Sequence, residues 1–193
     1  MEQNLNVENN SGIIAGRIDN VVIAPNTIRQ SILSEFIIEM LNNNIETVEI
    51  PSIVPYTVED KIKYNNIVKY KGIVDKYYAY SAICDSILNK LDDIKAGDKK
   101  KVLNYVKTTY LLIKGSFLRA NGNSFLTEID VIKNHSDDII DEIIKKFFDD
   151  SKNTITLQKY NIEEIEINII AFIIYCFVEC MILERPIQNG EAK

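Results

Sequence analysis

Residues 161–183 read Asn-Ile-Glu-Glu-Ile-Glu-Ile-Asn-Ile-Ile-Ala-Phe-Ile-Ile-Tyr-Cys-Phe-Val-Glu-Cys-Met-Ile-Leu. Asn161, followed three residues later by Glu164, is a helix-start signal. From Ile167 to Leu183 the segment is apolar nearly all round. A helix with one wet side shows an apolar stripe; a helix apolar on every side belongs in the middle of a bundle. Arg185-Pro186 is the expected stop, because proline cannot continue a helix. The most hydrophobic part, Ile169 to Val178, is bounded by Asn168 and Glu179. It is too short to cross a bilayer, so it reads as a buried core helix. The stretch predicts an all-α fold wrapped around this last helix.

The helices that would surround it are legible from apolar spacing. Thr27 and Gln30 form a capping-box pattern ahead of Ile28, Ile32, Leu33, Phe36, Ile37, Met40 and Leu41. Asn42-Asn43-Asn44 ends that first helix, and residues 45–55 read as an extended linker with Pro51 and Pro55. Thr57 and Asp60 suggest a second start, carried on by Val58, Ile62 and Ile67, with a break at Gly72. Ile73, Val74, Tyr77, Tyr80, Cys84, Ile87, Leu88 and Leu91 then predict one long amphipathic helix. Gly97 suits a C-cap and Asp98 an N-cap for the next, which carries Val102, Leu103, Val106, Tyr110, Ile113 and Phe117. Ile139, Ile140, Ile143, Ile144, Phe147 and Phe148 mark a further strongly amphipathic stretch. Ser136-Asp137-Asp138 ahead of it leaves open one helix or two between residues 125 and 148. The expectation is an all-α bundle of about five to six helices.

A short β-like arm precedes it. Residues 1–12 are rich in Asn and are expected to lack fixed structure. Ile13, Ile14, Val21 and Val22 lie in short β-branched runs punctuated by Gly16 and Asp19-Asn20. An isolated two-stranded ribbon is barely stable in water. The arm is therefore expected to pair with something, and self-association is its expected role. The division that follows is 1–25 as tail and arm, 26–54 as first helix and linker, 55–187 as helical domain, and 188–193 as polar tail.

Composition narrows the function classes. The chain has 193 residues, 46% of them hydrophobic, which suits one domain with a substantial core. Cys84, Cys176 and Cys180 are odd in number and lack zinc-site spacing. Cys176 and Cys180, one turn apart in an apolar run, read as small buried hydrophobes, with a regulatory disulfide as the alternative. The thiols and the polar, acidic start, without a signal-peptide pattern, point to a cytoplasmic protein. Net charge is −6 but uneven. Residues 1–54 carry 2 basic and 7 acidic groups, residues 55–122 carry 13 and 7, and residues 123–193 carry 7 and 14. The middle block also holds eight of the ten tyrosines. Either the three blocks neutralise one another within the fold, or the basic, tyrosine-rich block 55–122 binds an acidic partner or nucleic acid.

Catalytic patterns were sought and not found. The single His135, in Asn-His-Ser-Asp-Asp, reads as a surface histidine. Ferritin-type metal sites need paired Glu-x-x-His motifs, which one histidine cannot supply. An Arg-x4-His ribonuclease pattern fails, since Asp130 lies five before His135 and Ser124 five after Arg119. There is no phosphate loop and no nucleophile elbow. Glu163, Glu164 and Glu166 sit where acidic residues favour a helix dipole. Asn168 and Glu179 are polar groups expected to be buried in the central helix, either bonded to a neighbour or marking a wet groove. A catalytic cavity built on Glu179 and Asn168 is the least favoured reading. No cofactor or metal site is expected. Lys100, Lys107 and Lys114 recur every seven residues and predict an exposed stripe, either merely solvated or a docking surface.

Several segments carry a family resemblance. They are Pro55-Tyr-Thr-Val-Glu-Asp-Lys-Ile-Lys-Tyr-Asn-Asn, Lys69-Tyr-Lys-Gly-Ile, Lys99-Lys-Lys-Val-Leu, Tyr110-Leu, Ser136-Asp-Asp-Ile-Ile-Asp-Glu and Cys180-Met-Ile-Leu-Glu-Arg-Pro. In this order, over residues 45–187, the chain resembles the C-terminal domain of ABC-three-component systems. These are bacterial conflict systems that include Lamassu-type anti-phage defence. The resemblance implies a helical adaptor without catalytic residues, coupling an effector to an SMC-like ABC ATPase. It departs from that layout ahead of residue 55, where an arm and one helix stand in place of an effector domain. What it implies is a non-enzymatic adaptor or regulatory subunit that binds a partner such as an SMC-like ABC ATPase. Self-association through the arm would accompany this role.

Overall fold

A computed structural model describes residues 31–43, 56–77, 80–122, 124–152 and 154–186. Among them are eight α-helices and no strand. They are α1 (Ile32–Asn42), α2 (Tyr56–Tyr64), α3 (Lys71–Tyr77), α4 (Ser81–Ile94), α5 (Asp98–Ala120), α6 (Glu128–Asn134), α7 (Ser136–Lys152) and α8 (Ile162–Val178). The all-α class is as expected, but the count exceeds five to six. The arm residues Ile13, Ile14, Val21 and Val22 and the Thr27–Gln30 cap lie outside the described residues. No described helix is long and apolar enough to cross a membrane.

The last helix is the axis of the bundle. α8 packs against α1, α3, α4 and α7, and every residue from Ala171 to Phe177 is buried. Phe172 is its centre: its ring lies 4.4 Å from Phe36 of α1 and 6.3 Å from Phe147 of α7. Its N-terminus is closed as the sequence predicts, with the Glu164 carboxylate accepting from the Asn161 N–H at 3.3 Å.

The extra helices come from breaks at residues other than the expected ones. α2 stops at Asn65-Asn66, not at Gly72, which lies inside α3. Asn66 adopts the left-handed conformation at φ 56°. The Asn66 N–H then bonds to the Lys63 carbonyl at 3.1 Å and the Ile67 N–H to the Ile62 carbonyl at 3.0 Å, a Schellman end. Asparagine tolerates this backbone, so the break needs no glycine. α2 begins at Tyr56, so Thr57 is inside it rather than its cap. Ser31 caps α1, accepting from the Ser34 N–H. α3 and α4 replace the single long helix expected from Ile73 onward. Two helices, α6 and α7, occupy 125–148, separated at His135.

At the start of α5 the roles of Gly97 and Asp98 are shifted by one. Gly97, at φ 91°, is the N-cap and Asp98 the first helical residue. The side chain that holds this turn comes from the preceding helix. Asp92 Oδ1 accepts from the Gly97 N–H at 2.9 Å and the Lys99 N–H at 3.1 Å.

α8 also ends earlier than its apolar run. It closes at Val178, where Cys180 takes the left-handed conformation at φ 59°. The Cys180 N–H bonds to the Phe177 carbonyl at 3.1 Å and the Met181 N–H to the Cys176 carbonyl at 2.8 Å. This is a second Schellman end, with cysteine where glycine is usual. Ile182 and Leu183 remain buried, but in a turn that leaves the helix.

Candidate functional site

The residues singled out in the sequence do not converge. Lys100 and Lys107 are exposed on α5. Lys114 is not part of their stripe: its side chain is 12% exposed, with Nζ 2.6 Å from Glu128 and 2.7 Å from Glu184. A seven-residue repeat drifts by roughly 20° per heptad on a straight helix, which turns the third lysine toward α6. Burial works against the Lys114 charge, but hydrogen bonds to both carboxylates hold its pKa above the ordinary lysine range.

Asn168 is buried, and its Nδ2 donates to the Glu164 carbonyl at 2.8 Å. Its Oδ1 has no hydrogen-bond partner among the described residues. Glu179, expected to be buried, is exposed: α8 stops at Val178 and Glu179 is its C-cap. Eleven residues of helix separate the two by about 16 Å, so they form no common cavity.

A polar junction that periodicity did not reveal lies where α2, α5 and the Cys180–Pro186 segment meet. Val58 and Ile62 set the buried face of α2. Lys61 and Asn65 occupy the same face by i, i+3 and i+4 spacing, and both are buried. The Lys61 ammonium donates to the carbonyls of Phe177 at 2.5 Å and Ile182 at 3.0 Å. It also lies 4.4 Å from the Phe177 ring centre. Desolvation lowers the Lys61 pKa to about 8, partly opposed by the neighbouring Cys180 thiol. What retains the ammonium there is the negative end of α8.

Asn65 pins the segment that follows. Its Nδ2 donates to the Glu184 carbonyl at 2.8 Å and its Oδ1 accepts from the Glu184 N–H at 2.9 Å. The Glu184 carboxylate in turn accepts from Tyr110 Oη at 2.8 Å and from Lys114 at 2.7 Å. Burial raises the Glu184 pKa, but the bonds from Lys114 and Tyr110 outweigh it and hold the group below the usual range.

A second junction ties the connection between α2 and α3 to α7. Asp137 accepts from the backbone N–H groups of Val68 at 3.1 Å and Lys69 at 2.9 Å. Asp141 takes the Lys69 ammonium and the Tyr70 hydroxyl. Burial and the bond to Asp141 push the Tyr70 pKa well up. Polar residues from distant parts of the chain interlock at both junctions: Lys61, Asn65, Tyr110 and Glu184 at the first, and Lys69, Tyr70, Asp137 and Asp141 at the second. These locks commit Lys61, Asn65, Lys69, Tyr70, Tyr110, Asp137, Asp141 and Glu184 to partners within the chain.

Several lysines of the basic block are also paired within the chain. Lys90 pairs with Glu39 at 2.6 Å, Lys99 with Asp85 at 2.7 Å and Lys101 with Asp98 at 2.7 Å. His135, at the α6–α7 break, lies tilted against Phe117 with ring centres 5.0 Å apart and meets Asp138 at 3.0 Å. Among the described residues no group of three or more His, Cys, Asp or Glu side chains is placed to hold a metal ion. Cys84 and Cys176 are buried and Cys180 half-buried, all free thiols.

One cavity, of about 230 Å³, lies between the end of α7 and the start of α8, lined by Phe148, Leu157, Ile162 and Ile165. The hydroxyls at its wall are engaged elsewhere: Ser151 donates to the Phe147 carbonyl and Thr154 bonds to Ser34. No protein-family model matches this chain, and neither a curated protein nor a solved structure does.

The described surface also exposes large apolar side chains. Phe125 is fully exposed and Leu126 partly so, in the connection from α5 to α6. The Thr127–Asp130 capping box, with both reciprocal bonds made, closes the start of α6. A large aromatic ring left in water two residues ahead of this cap has the character of an interface anchor.

Proposed function

We propose that this chain is a non-enzymatic adaptor or regulatory subunit of a bacterial anti-phage defence complex. It docks on a protein partner such as an SMC-like ABC ATPase. The observation that carries the docking surface is Phe125, fully exposed beside Leu126 just ahead of the α6 cap. The ordered motif set supports the partner class. The internal commitment of its polar residues supports a structural role for them rather than a reactive one.

Nucleic-acid binding through residues 55–122 is the weaker reading. Lys90, Lys99, Lys101 and Lys114 already face carboxylates, and Lys61 is buried. Affinity purification of the tagged protein from its native host, followed by mass spectrometry, tests the adaptor reading. An ATPase co-eluting in near-stoichiometric amount, and lost on Phe125→Ser, is the expected result. Unchanged recovery with Phe125→Ser would remove the turn as the docking surface, and absence of any ATPase would remove the complex itself.

A further inference from the structure

Two exposed helix faces of this chain are complementary in both charge and apolarity. On α5 the outward face presents Leu111, 52% exposed, and Leu112, 70% exposed. Lys100, Asn104, Lys107, Thr108 and Arg119 share that face at helical spacing, and all are exposed. α5 carries a single acid, Asp98, at its very start. On α8 the first turns present Ile162, 60% exposed, and Ile167, 36% exposed. Glu163 and Glu166 lie between them on the same side, and α8 contains no basic residue.

We propose that these faces bind each other between copies: the leucine and lysine face of α5 seats on the isoleucine and glutamate face of α8 of a second copy. The apolar pairs supply the buried area, and Lys107 against Glu163 sets orientation, while the cationic α5 face and the anionic α8 face exclude the like-charged pairing of α5 with α5 or α8 with α8. Because the two surfaces differ, the contact is heterologous. Copies therefore join head to tail, and association continues until a ring closes or a filament forms. This assembly surface is independent of the N-terminal arm and does not rest on the adaptor reading.

Sedimentation equilibrium of the full chain tests it, because two single-face variants complement each other only in a heterologous interface. The average mass of the wild type should rise above 22.1 kDa with concentration. Leu111→Glu with Leu112→Glu should remain monomeric, as should Ile162→Lys with Ile167→Lys. Mixed together, these should form a 1:1 complex that stops at two copies, since each retains one competent face. A monomeric wild type, a variant that associates as the wild type does, or a mixture that stays monomeric would each overturn the proposal. Should either double variant lose its helical circular dichroism, a charge exchange gives the same decision. Lys107→Glu and Glu163→Lys should each weaken association about fivefold at low salt, with the double variant recovering it; no recovery in the double variant refutes the pairing.

Discussion

Asn65 and Glu184, 119 residues apart, are joined by two reciprocal hydrogen bonds of 2.8 and 2.9 Å between one side-chain amide and the backbone C=O and N–H of one residue. Asn65 Nδ2 also donates to the Lys61 carbonyl at 2.9 Å, so one buried side chain closes the end of α2 and anchors the segment after α8. Asn65→Ala leaves three buried backbone groups without this partner and should cost about 3 kcal/mol of unfolding free energy. Asn65→Asp should cost at least as much despite similar size, because its carboxylate would face the carbonyls of Lys61 and Glu184. Urea denaturation decides it: Asn65→Asp as stable as the wild type would contradict the donor role assigned to Nδ2.

Lys61 should make stability depend on pH in an unusual direction. Its folded pKa, about 8, is depressed below the ordinary lysine value of 10.5. Between those values the unfolded chain binds more protons than the folded one, so the Lys61 contribution rises as pH increases from 8 to 10.5. Below pH 8 the cost of holding the buried ammonium is fully present, about 3 kcal/mol for a shift of this size. Tyrosines of an unfolded chain titrate near the upper end of the window, so the quantity to measure is the difference between the wild type and Lys61→Met. A difference flat across this range would contradict the assignment.

Lys114 and Glu184 lie partly buried at 2.7 Å, with Tyr110 on the same carboxylate. A double-mutant cycle with Lys114→Ala and Glu184→Gln should return a coupling of about 1 kcal/mol. The exposed Lys107, carried through the same cycle with Glu184, should return none. Equal values for the two lysines would mean that Lys114 is no more than another solvated charge.

Cys180 holds φ 59°, a conformation that disfavours side chains with a Cβ. Cys180→Gly should raise stability by about 1 kcal/mol and Cys180→Val should lower it by more. Thermal melts of the two variants moving the same way would show that the α8 terminus is not governed by backbone strain.

The sequence alone determined the class and most of the helices, because helical burial repeats locally. Phe36, Ile37 and Met40 on α1, Ile139, Ile143 and Phe147 on α7, and the all-round apolarity of α8 each declare a buried face within a few turns. The Asn161–Glu164 start is equally local, since both partners lie within one turn. Where helices end was less legible: Ile182 and Leu183 are as buried in a turn as they would be in a helix, so apolar spacing could not see α8 stop at Val178. What only the tertiary structure decided is the fate of the polar groups. Lys61, Asn65, Lys114 and Glu184 are ordinary surface residue types by composition. A buried polar group is stable only if its partners are present, and theirs are supplied from segments scores of residues away. Glu179 illustrates the converse, a polar residue next to an apolar run that the early end of α8 delivers to water.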